Sequence, residues 1–445
     1  MAPSSHLRAS AKRDSGARGS PPICLQQSRE PTRGIEERHS KGLNQPLWSG
    51  VAPILSKSDY PGIVMLNPSH AIRTLRPFLD EHPRIKNALK CLDNSASRSR
   101  NALAAKWPLL IRPQPRQLTV AITAQCNFRC IGCRYGRDFM LGEQLSLEVV
   151  KGVLDDARAA GINIVRFYGG EPLLHKDLHH MVRHASELGL EVYVTTNAVL
   201  LDRRADELVD AGLKWVSMGF YGFGETFDAY TQRPGKFEEF IESVTSVRER
   251  HRENLDVQLN YVVVRPLAGL DKLEEAWDFA VEHDLFFHLD LYGYSVPFFS
   301  RGPDDELAFR PGDEPMLAAL VDRLLELKEE RPHRFPHNDA FLRSIPDWVT
   351  KYEDMRVPCD AYQLLWIGAD GSLQLCDTAF PLGNVNESRL KDLVFTKEHK
   401  RAAQDGFALK CPNCTCKVDS RIRRHGPSWR KYSQTNSHRE SLGLK

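Results

Sequence analysis

The stretch QLTVAITAQCNFRCIGC, residues 117–133, places three cysteines directly after a β-strand pattern. Its first part, residues 117–123, is rich in β-branched and apolar residues and predicts a strand. The spacing C-x3-C-x2-C then brings Cys126, Cys130 and Cys133 into one short loop. A structural zinc site normally takes four protein ligands, and a disulfide takes two cysteines. Three thiolates this close therefore indicate a metal centre with one coordination position left for another ligand.

A regular alternation of strands and helices continues from this stretch. Strand patterns occur at 117–123, 163–169, 191–197, 214–220, 257–264 and 286–294. Helical patterns separate them, at 145–161 and about 175–189, 203–212, 236–251 and 271–284. Six strands alternating with helices predict an α/β fold with a parallel sheet and crossover helices. In β/α barrels the active site lies at the carboxyl ends of the strands, which is where the three cysteines stand.

The cysteine triplet after the first strand of a six-fold β/α repeat resembles the radical S-adenosylmethionine (radical SAM) superfamily. The resemblance implies a partial (β/α)6 barrel in which Cys126, Cys130 and Cys133 hold three irons of a 4Fe–4S cluster. The fourth iron takes the amino and carboxylate groups of SAM, which explains the missing fourth cysteine. Electron transfer into SAM then yields a 5′-deoxyadenosyl radical that abstracts hydrogen from a substrate.

Two further segments resemble SAM-binding motifs of this superfamily. YGGEPLL (168–174) ends the second strand and resembles the GGEP motif, in which Glu171 would accept the methionine ammonium group. TTNA (195–198) ends the third strand, where the family contacts methionine and ribose. Strand alternation adds Ser217 and Asn260 as interior polar residues, which could equally be satisfied core groups. The predicted SAM-binding residues are Gly169, Gly170, Glu171, Pro172, Thr196, Asn197, Ser217 and Asn260.

The position before the third cysteine departs from the family pattern. The superfamily usually has an aromatic residue there that packs near the adenine, whereas this chain has Gly132. Tyr135 is the nearest aromatic residue that could substitute for it.

A second set of cysteines lies beyond the barrel. LLWIGADGSLQL (364–375) predicts two short strands around an Asp-Gly turn, which would make Cys359 and Cys376 neighbours. With CPNCTC (411–416), the set resembles the twitch domain, a shorter relative of the SPASM extension that carries one auxiliary 4Fe–4S cluster. The resemblance implies ligation by Cys359, Cys376, Cys411 and Cys414, with Cys416 as an alternative ligand. A structural zinc site is the other interpretation, because four thiolates also suit zinc.

The sixth strand carries a polar stripe on one face. His288, Asp290, Tyr292 and Tyr294 alternate with apolar residues. A polar stripe facing a dry core is unfavourable, so the pattern predicts a ligand cavity, and His288, Asp290 and Tyr292 are the predicted substrate residues.

Charge and composition set the organisation of the 445-residue chain. Residues 1–50 carry a net charge of +4 and residues 417–445 one of +6, so the remainder carries −8. An acidic body argues against nucleic acid as the main partner, and no apolar run approaches a membrane span. We expect a cytoplasmic protein. Its predicted parts are a disordered basic tail (1–50), a helical extension (51–115), the barrel (116–300), a helical linker (301–354), the twitch-like domain (355–418) and a basic tail (419–445).

The resemblance implies a reaction class as well. We expect hydrogen abstraction from a small polar metabolite such as a sugar or cyclitol, followed by oxidation with help from the auxiliary cluster. An electron donor such as flavodoxin or ferredoxin would supply reducing equivalents. The alternatives are peptide modification, as in the maturation of ribosomal peptides, and epimerisation or rearrangement of a sugar-like substrate. A non-enzymatic Fe–S carrier or sensor would not need a SAM-binding GGEP segment.

Overall fold

The fold comes from a computed structural model that describes residues 82–291, 293, 306–377 and 379–444. Within these residues, nine strands form one sheet in the order β6-β5-β4-β3-β2-β1-β7-β8-β9. They are β1 (Gln117–Thr123), β2 (Ile164–Gly169), β3 (Glu191–Thr196), β4 (Trp215–Phe220), β5 (Asp256–Val263), β6 (Phe286–Leu291), β7 (Leu364–Ile367), β8 (Ser372–Gln374) and β9 (Pro381–Asn384). Strands β1 to β7 pair in parallel, and β8 and β9 continue antiparallel.

Helices connect and flank these strands. They are α1 (Pro83–Lys106), α2 (Leu147–Ala159), α3 (Leu178–Glu187), α4 (Leu201–Asp210), α5 (Glu225–Thr231), α6 (Lys236–His251), α7 (Leu270–Glu282), α8 (Glu314–Glu330), α9 (Asp339–Lys351), α10 (Leu390–Leu393), α11 (Lys397–Phe407), α12 (Val418–Arg424), α13 (Gly426–Tyr432) and α14 (Ser437–Ser441).

Local sequence explains where the first crossover helix begins and ends. The Ser146 hydroxyl accepts a hydrogen bond from the Val149 N–H and so satisfies one of the free amides at the start of α2. Gly161, with a φ of +82°, follows the last turn, where a left-handed residue commonly ends a helix. The buried residues of α2 include Val150, Val153 and Leu154, which repeat at helical spacing toward the sheet.

The two faces of the curved sheet differ in chemistry. One face is apolar and fully buried, as Val165 and Phe167 on β2 and Leu259 on β5 illustrate. The intervening positions, such as Arg166 on β2 and Asn260 on β5, line an interior cavity. Because side chains alternate along a strand, one polar and one apolar face follow from the same six segments. The polar face therefore forms the lumen of the partial barrel.

The parallel barrel pattern and the hairpin predicted from sequence are confirmed. Strands β1 to β6 lie within one or two residues of the expected positions, except that the end predicted for β6 falls partly outside the described residues. The predicted hairpin forms as β7 and β8 around Asp370 and Gly371. Its first strand, however, pairs directly with β1, so the barrel sheet continues into the second cysteine region.

The basic segment 419–445 differs from the tail that its charge suggested. Residues 418–441 form three short helices, α12 to α14, in which Arg421, Ile422 and Tyr432 are buried. Tyr432 donates its hydroxyl hydrogen to the buried carboxylate of Asp347 on α9. Net charge alone misled the prediction, because several of these basic side chains are paired or buried instead of solvated.

The contacts of the chain divide it into two compact units, residues 1–93 and 94–445. The second unit contains all nine strands. The finer domain boundaries proposed from the sequence remain predictions. In the described part of the chain, no helix is both long enough and apolar enough to cross a bilayer.

Candidate functional site

The three-cysteine loop is held in place by backbone hydrogen bonds to helix α5. The Arg129 and Ile131 N–H groups donate to the carbonyls of Thr231 and Tyr230, at 3.0 and 2.9 Å. Within the loop, the Phe128 N–H points at the Cys126 sulfur, with an N···Sγ distance of 3.4 Å. These hydrogen bonds hold the loop against α5 at the carboxyl end of β1.

Arg137 closes the other side of the same loop. Its Nη2 donates to the carbonyl of Cys130 at 3.0 Å and also to that of Cys133. A cation at these carbonyls orients the two cysteines without occupying their sulfurs.

The thiols of Cys126, Cys130 and Cys133 lie close enough for the charge of one to shift the pKa of another. Burial raises the pKa of the Cys130 thiol well above its usual value, and the neighbouring charges of Cys133 and Cys126 raise it further. Thiolates in this arrangement require a cationic centre to be stable, so the residues fit an iron–sulfur cluster. Within the residues that the structure describes, no three His, Cys, Asp or Glu side chains converge as ligands of one metal ion. Ligands to separate irons of a cluster need not converge in that way.

The two glycines after β2 make room for the start of the cysteine loop. A Cβ on Gly169 would lie 2.2 Å from the Thr123 carbonyl oxygen, and one on Gly170 would lie 2.2 Å from that of Gln125. Gly169 also has a φ of +142°, which few other residues adopt. The close approach inferred from the sequence is therefore made, at least in part, to the chain's own backbone.

Glu171 is fully buried, and both of its carboxylate oxygens have partners within the chain. Oε1 accepts from the Leu173 N–H at 2.9 Å and from the Thr196 hydroxyl at 2.7 Å, and Oε2 accepts from the Asn197 N–H at 2.8 Å. Burial raises its pKa to about 7, although these three hydrogen bonds act in the opposite direction. Glu171 thus ties β2 to the end of β3, and a direct contact with an ammonium group stays a prediction.

The remaining strand-end residues complete the same turn. Pro172 is buried and begins a 3-10 turn, Pro172–Leu174, directly after Glu171. Asn197, also buried, reaches the cysteine loop, because its Nδ2 donates to Asn127 Oδ1 at 2.7 Å. The structure therefore brings the second- and third-strand motifs together with the loop of the first strand, as the sequence predicted for a common site.

Tyr135 and the position of Gly132 have different neighbours in the structure. Tyr135 packs with Trp366 and Ala369, and its hydroxyl accepts from the Ala369 N–H at 3.3 Å. A Cβ on Gly132 would instead lie 3.1 Å from the Tyr230 hydroxyl. That Tyr135 takes the place of the missing aromatic residue near the adenine stays a prediction.

Tyr221 and Tyr230 form an aromatic pair beside the cysteine loop that sequence reasoning missed. Their rings stack with centroids 4.5 Å apart and an interplanar angle of 10°. The pKa of Tyr221 is raised by burial and then by the charges of Cys130, Tyr230, Cys133 and Cys126. Its position directly after β4 was the available signal, because the active site of a β/α fold lies at such strand ends.

A cavity of about 390 Å³ occupies the lumen of the barrel. It is lined by Ser217 and Asn260 from the predicted SAM set and by His288 and Asp290 from the predicted substrate set. Asn260 Nδ2 donates to Ser217 Oγ at 2.7 Å, so these two side chains are partly satisfied by each other. The polar stripe on β6 faces this lumen, while Tyr292 lies outside the described residues.

The edge strand β6 is held by a histidine that the sequence did not single out. The Leu289 N–H donates to His337 Nε2 at 3.0 Å, so the proton of that ring is on Nδ1, which faces Asp419 Oδ2 at 3.0 Å. The His337 ring packs against His288, with centroids 4.3 Å apart. Burial lowers the pKa of His288 to about 3, which keeps His288 neutral.

The second cysteine set shares one small cavity. Its lining includes Cys359, Cys376, Cys411, Cys414 and Cys416. Burial raises the pKa of the Cys416 thiol well above its usual value, and the nearby charges of Asp377, Cys414 and Cys359 raise it further. The structure thus brings the four expected cysteines together and adds Cys416 to them.

Arg421, from the segment expected to be a tail, organises this second loop. Its guanidinium donates to the carbonyls of Cys414 and Val357, each at 2.6 Å, and to Asn413 Oδ1 at 2.9 Å. It also lies 4.7 Å from the centroid of the Trp348 ring. These contacts explain why a charged residue is buried there.

The second cysteine loop also borders the lumen. Lys417 Nζ donates to Gln117 Oε1 at 3.1 Å, and Gln117 Nε2 donates to the Tyr193 hydroxyl at 2.9 Å. Tyr193 is one of the residues that line the 390 Å³ cavity. The SAM motifs lie at one end of the barrel. Its wall is linked to the second cysteine set by the hydrogen bonds between Lys417, Gln117 and Tyr193.

Comparison with known proteins agrees with this arrangement. Residues 120–269 match the family model described as the radical SAM superfamily. The chain is 31% identical over 298 residues to a GTP 3′,8-cyclase of Chlorobaculum tepidum, covering 62% of this chain and 84% of that protein. It is 30% identical over 175 residues to an Fe-coproporphyrin III synthase of Methanosarcina barkeri, covering 38% of this chain and 42% of that protein.

A solved structure with a similar fold is anSMEcpe with bound AdoMet. The TM-score is 0.52 at 17% sequence identity, and the match covers 74% of this chain and 98% of that one. Taken with the matched family model and the relatives, the cysteine loop at the end of β1 and the motifs that surround it lead to one conclusion. The chain belongs to the radical SAM superfamily and is an enzyme that uses S-adenosylmethionine and a 4Fe–4S cluster.

Proposed function

We propose that the enzyme abstracts hydrogen from a small polar metabolite in the barrel lumen and completes a two-electron oxidation of it. The single observation that carries this proposal is the polar lumen cavity of about 390 Å³, which lies among strands that also carry the SAM motifs. Its volume falls within the range of small-molecule sites, about 300–1,000 Å³.

In this proposal the first cysteine loop binds the SAM cluster. Cys126, Cys130 and Cys133 are its ligands, and Gly169 to Pro172 with Thr196 and Asn197 form the adjoining SAM site. Cys359, Cys376, Cys411 and Cys414 hold a second cluster, with Cys416 as the alternative ligand. When bound, the first cluster and SAM would supply a radical able to abstract hydrogen, and a cluster held by the second cysteine set would supply an electron acceptor.

Polar residues that line the lumen would position the substrate. His288 is neutral and faces the lumen, so it offers a hydrogen-bond partner for a hydroxyl group. Tyr193 and Gln258 add further polar groups around the same space, which is also lined by Ser217 and Asn260, the two residues predicted from the sequence to contact SAM. The oxidation removes one hydrogen atom, one proton and one electron from the substrate. The radical would take the hydrogen atom, water in the lumen the proton, and the group held by the second cysteine set the electron.

One relative is named GTP 3′,8-cyclase, so the charges that line this lumen can be compared with those that a nucleoside triphosphate requires. A triphosphate binds where cations cluster. Among the described residues that line the lumen, one is a cation, Arg166, and two are carboxylates, Asp290 and Glu191. That balance favours a substrate with less negative charge than a nucleoside triphosphate. Epimerisation, rearrangement and peptide modification remain the competing outcomes.

The test follows hydrogen in an anaerobic assay. Reduced enzyme and SAM are incubated with a candidate substrate that is deuterated at the reacting carbon. Deuterium in 5′-deoxyadenosine and, from unlabelled substrate, a product two mass units lighter would support the proposal. Deuterium transfer with an unchanged product mass would favour epimerisation or rearrangement, and a product formed only on a peptide would favour peptide modification.

A further inference from the structure

Two opposite charges face the lumen without forming an ion pair. Arg166 donates from Nε to the Thr195 hydroxyl at 2.8 Å, and its guanidinium lies 5.0 Å from the centroid of the Tyr168 ring. The charges of Asp290 and Asp377 act on this guanidinium and raise its pKa although burial acts in the opposite direction, so Arg166 stays positively charged. Its charge therefore remains available to a group in the cavity.

Asp290 is the opposite charge on the other side of the lumen. Its side chain is 54% exposed and lines the cavity, with 3.9 Å between its Oδ1 and His288 Nε2. The charge of Arg166 also acts on it across the lumen. His288 is neutral, so it does not compensate the carboxylate. Among the described residues, no hydrogen-bond donor is assigned to Asp290.

Arg166 and Asp290 lie on different strands of the sheet and line the same cavity. Arg166 lies on β2 and Asp290 on β6, with β3, β4 and β5 between them. Because no ion pair joins Arg166 and Asp290, a ligand that carries one charge of each sign can form charge-assisted hydrogen bonds with both. A neutral polyol would leave both uncompensated, and a polyphosphate would meet Asp290 and Glu191 as like charges.

We infer that the lumen binds the zwitterionic head group of a free amino acid, with its carboxylate on Arg166 and its ammonium on Asp290. This inference rests on the proposed function, because it names the class of the small polar substrate. The site is distinct from the predicted site of the SAM methionine group. It begins at the first residues of β2, β3 and β4, which are Ile164, Glu191 and Trp215, and the SAM motifs lie at the opposite ends of β2 and β3.

Equilibrium dialysis of the anaerobic holoenzyme tests the inference directly. The protein is saturated with S-adenosylhomocysteine, so that no amino acid enters the SAM site, and is dialysed against a mixture of the standard protein amino acids. Mass spectrometry then measures which amino acids the protein retains. We expect at least one to be retained, and its N-acetyl and amide derivatives, each lacking one charge, to be lost.

Variants assign the binding to the two side chains. Arg166→Gln and Asp290→Asn should each weaken retention at least about tenfold, because each removes a charge-assisted hydrogen bond. Asp256→Asn is the matched control: Asp256 is 53% exposed, lies on the neighbouring strand β5 and does not line the cavity. Iron content and binding of S-adenosylhomocysteine establish that each variant is folded. If Arg166→Gln does not fold, the half-exposed Asp290 variant decides the test alone.

Three results would overturn the inference. They are retention of no amino acid, equal retention of the N-acetyl derivative, and unchanged retention by Asp290→Asn. Failure of the proposed function looks different, because the dialysis involves no SAM cleavage. A retained amino acid that yields no deuterium transfer to 5′-deoxyadenosine would contradict the proposed function and leave the binding site intact.

Discussion

Asn197 Nδ2 donates a hydrogen bond to Asn127 Oδ1 at 2.7 Å, which joins the end of β3 to the residue after Cys126. Asn197 also accepts, through Oδ1, from the Val199 N–H at 3.2 Å, so its side-chain amide is oriented by its own turn. The cysteine loop is therefore braced from the third strand as well as from helix α5. A substitution at the end of β3 should therefore change the position of the cysteine loop.

This brace predicts coupled effects of two substitutions. Asn197→Ala and Asn127→Ala should each weaken SAM binding by about 0.5–1.5 kcal/mol, the usual contribution of one hydrogen bond. The double variant should lose less than the sum, because both changes remove the same bond. Calorimetry of SAM binding measures all three variants, with the exposed Asn254→Ala as control. Strictly additive losses would show that the two residues act independently.

Glu171 is predicted to support SAM binding without holding either cluster. Glu171→Ala should weaken SAM binding by about 1.5–3 kcal/mol, the range for hydrogen bonds with a charged group. It should also lower the unfolding temperature, because three buried donors lose their acceptor. Iron content should stay unchanged. An unaltered SAM affinity in calorimetry would restrict Glu171 to a structural role.

The same carboxyl group predicts a pH dependence of stability. Its pKa is about 7 in the folded protein against an ordinary value of 4.5, so the folded state binds its proton more tightly. The contribution of the protonated Glu171 carboxyl to the free energy of unfolding is therefore fully present below about pH 4.5. It is lost as the pH rises through about 7, with a total of about 3 kcal/mol. The melting temperature of the wild type should therefore fall relative to that of Glu171→Gln over this window. Parallel profiles for the two proteins would contradict the raised pKa.

The two cysteine sets predict two clusters. Anaerobic reconstitution should give about eight iron and about eight sulfide per chain, as two 4Fe–4S clusters contain. Replacing Cys126, Cys130 and Cys133 with alanine should remove about half of each and abolish SAM cleavage. Iron near four per chain in the wild type, with zinc also present, would support the structural zinc interpretation of the second set.

The fifth cysteine of the second set allows a finer test. If Cys414 is the ligand, Cys414→Ala should reduce iron to about four per chain, whereas Cys416→Ala should retain about eight. Cys359→Ala serves as the positive control, since it belongs to the set in either arrangement. The reverse result would make Cys416 the ligand. Electron paramagnetic resonance of the reduced variants identifies which cluster is lost.

Strand pattern and cysteine spacing were sufficient to predict the barrel and its first site. Both signals are local: alternation over six or seven residues defines a strand, and a parallel sheet places all carboxyl ends at one edge. For this reason the positions of Cys126, Gly169 and Asn197 could be expected to meet before any coordinates were known. The same reasoning predicted the hairpin that leads to Cys376.

Tertiary structure alone decided how the polar groups are paired. Arg421 and Asp419 come from a segment whose net charge indicated a tail, yet one is buried at the second cysteine loop and the other faces His337. Two of the three partners of Glu171, Thr196 and Asn197, are likewise distant from it in sequence, and so are the facing charges of Arg166 and Asp290 from each other. Hydrophobic periodicity identifies which side chains face inward. It carries no information about which of them meet, because that is set by the register and curvature of the assembled sheet.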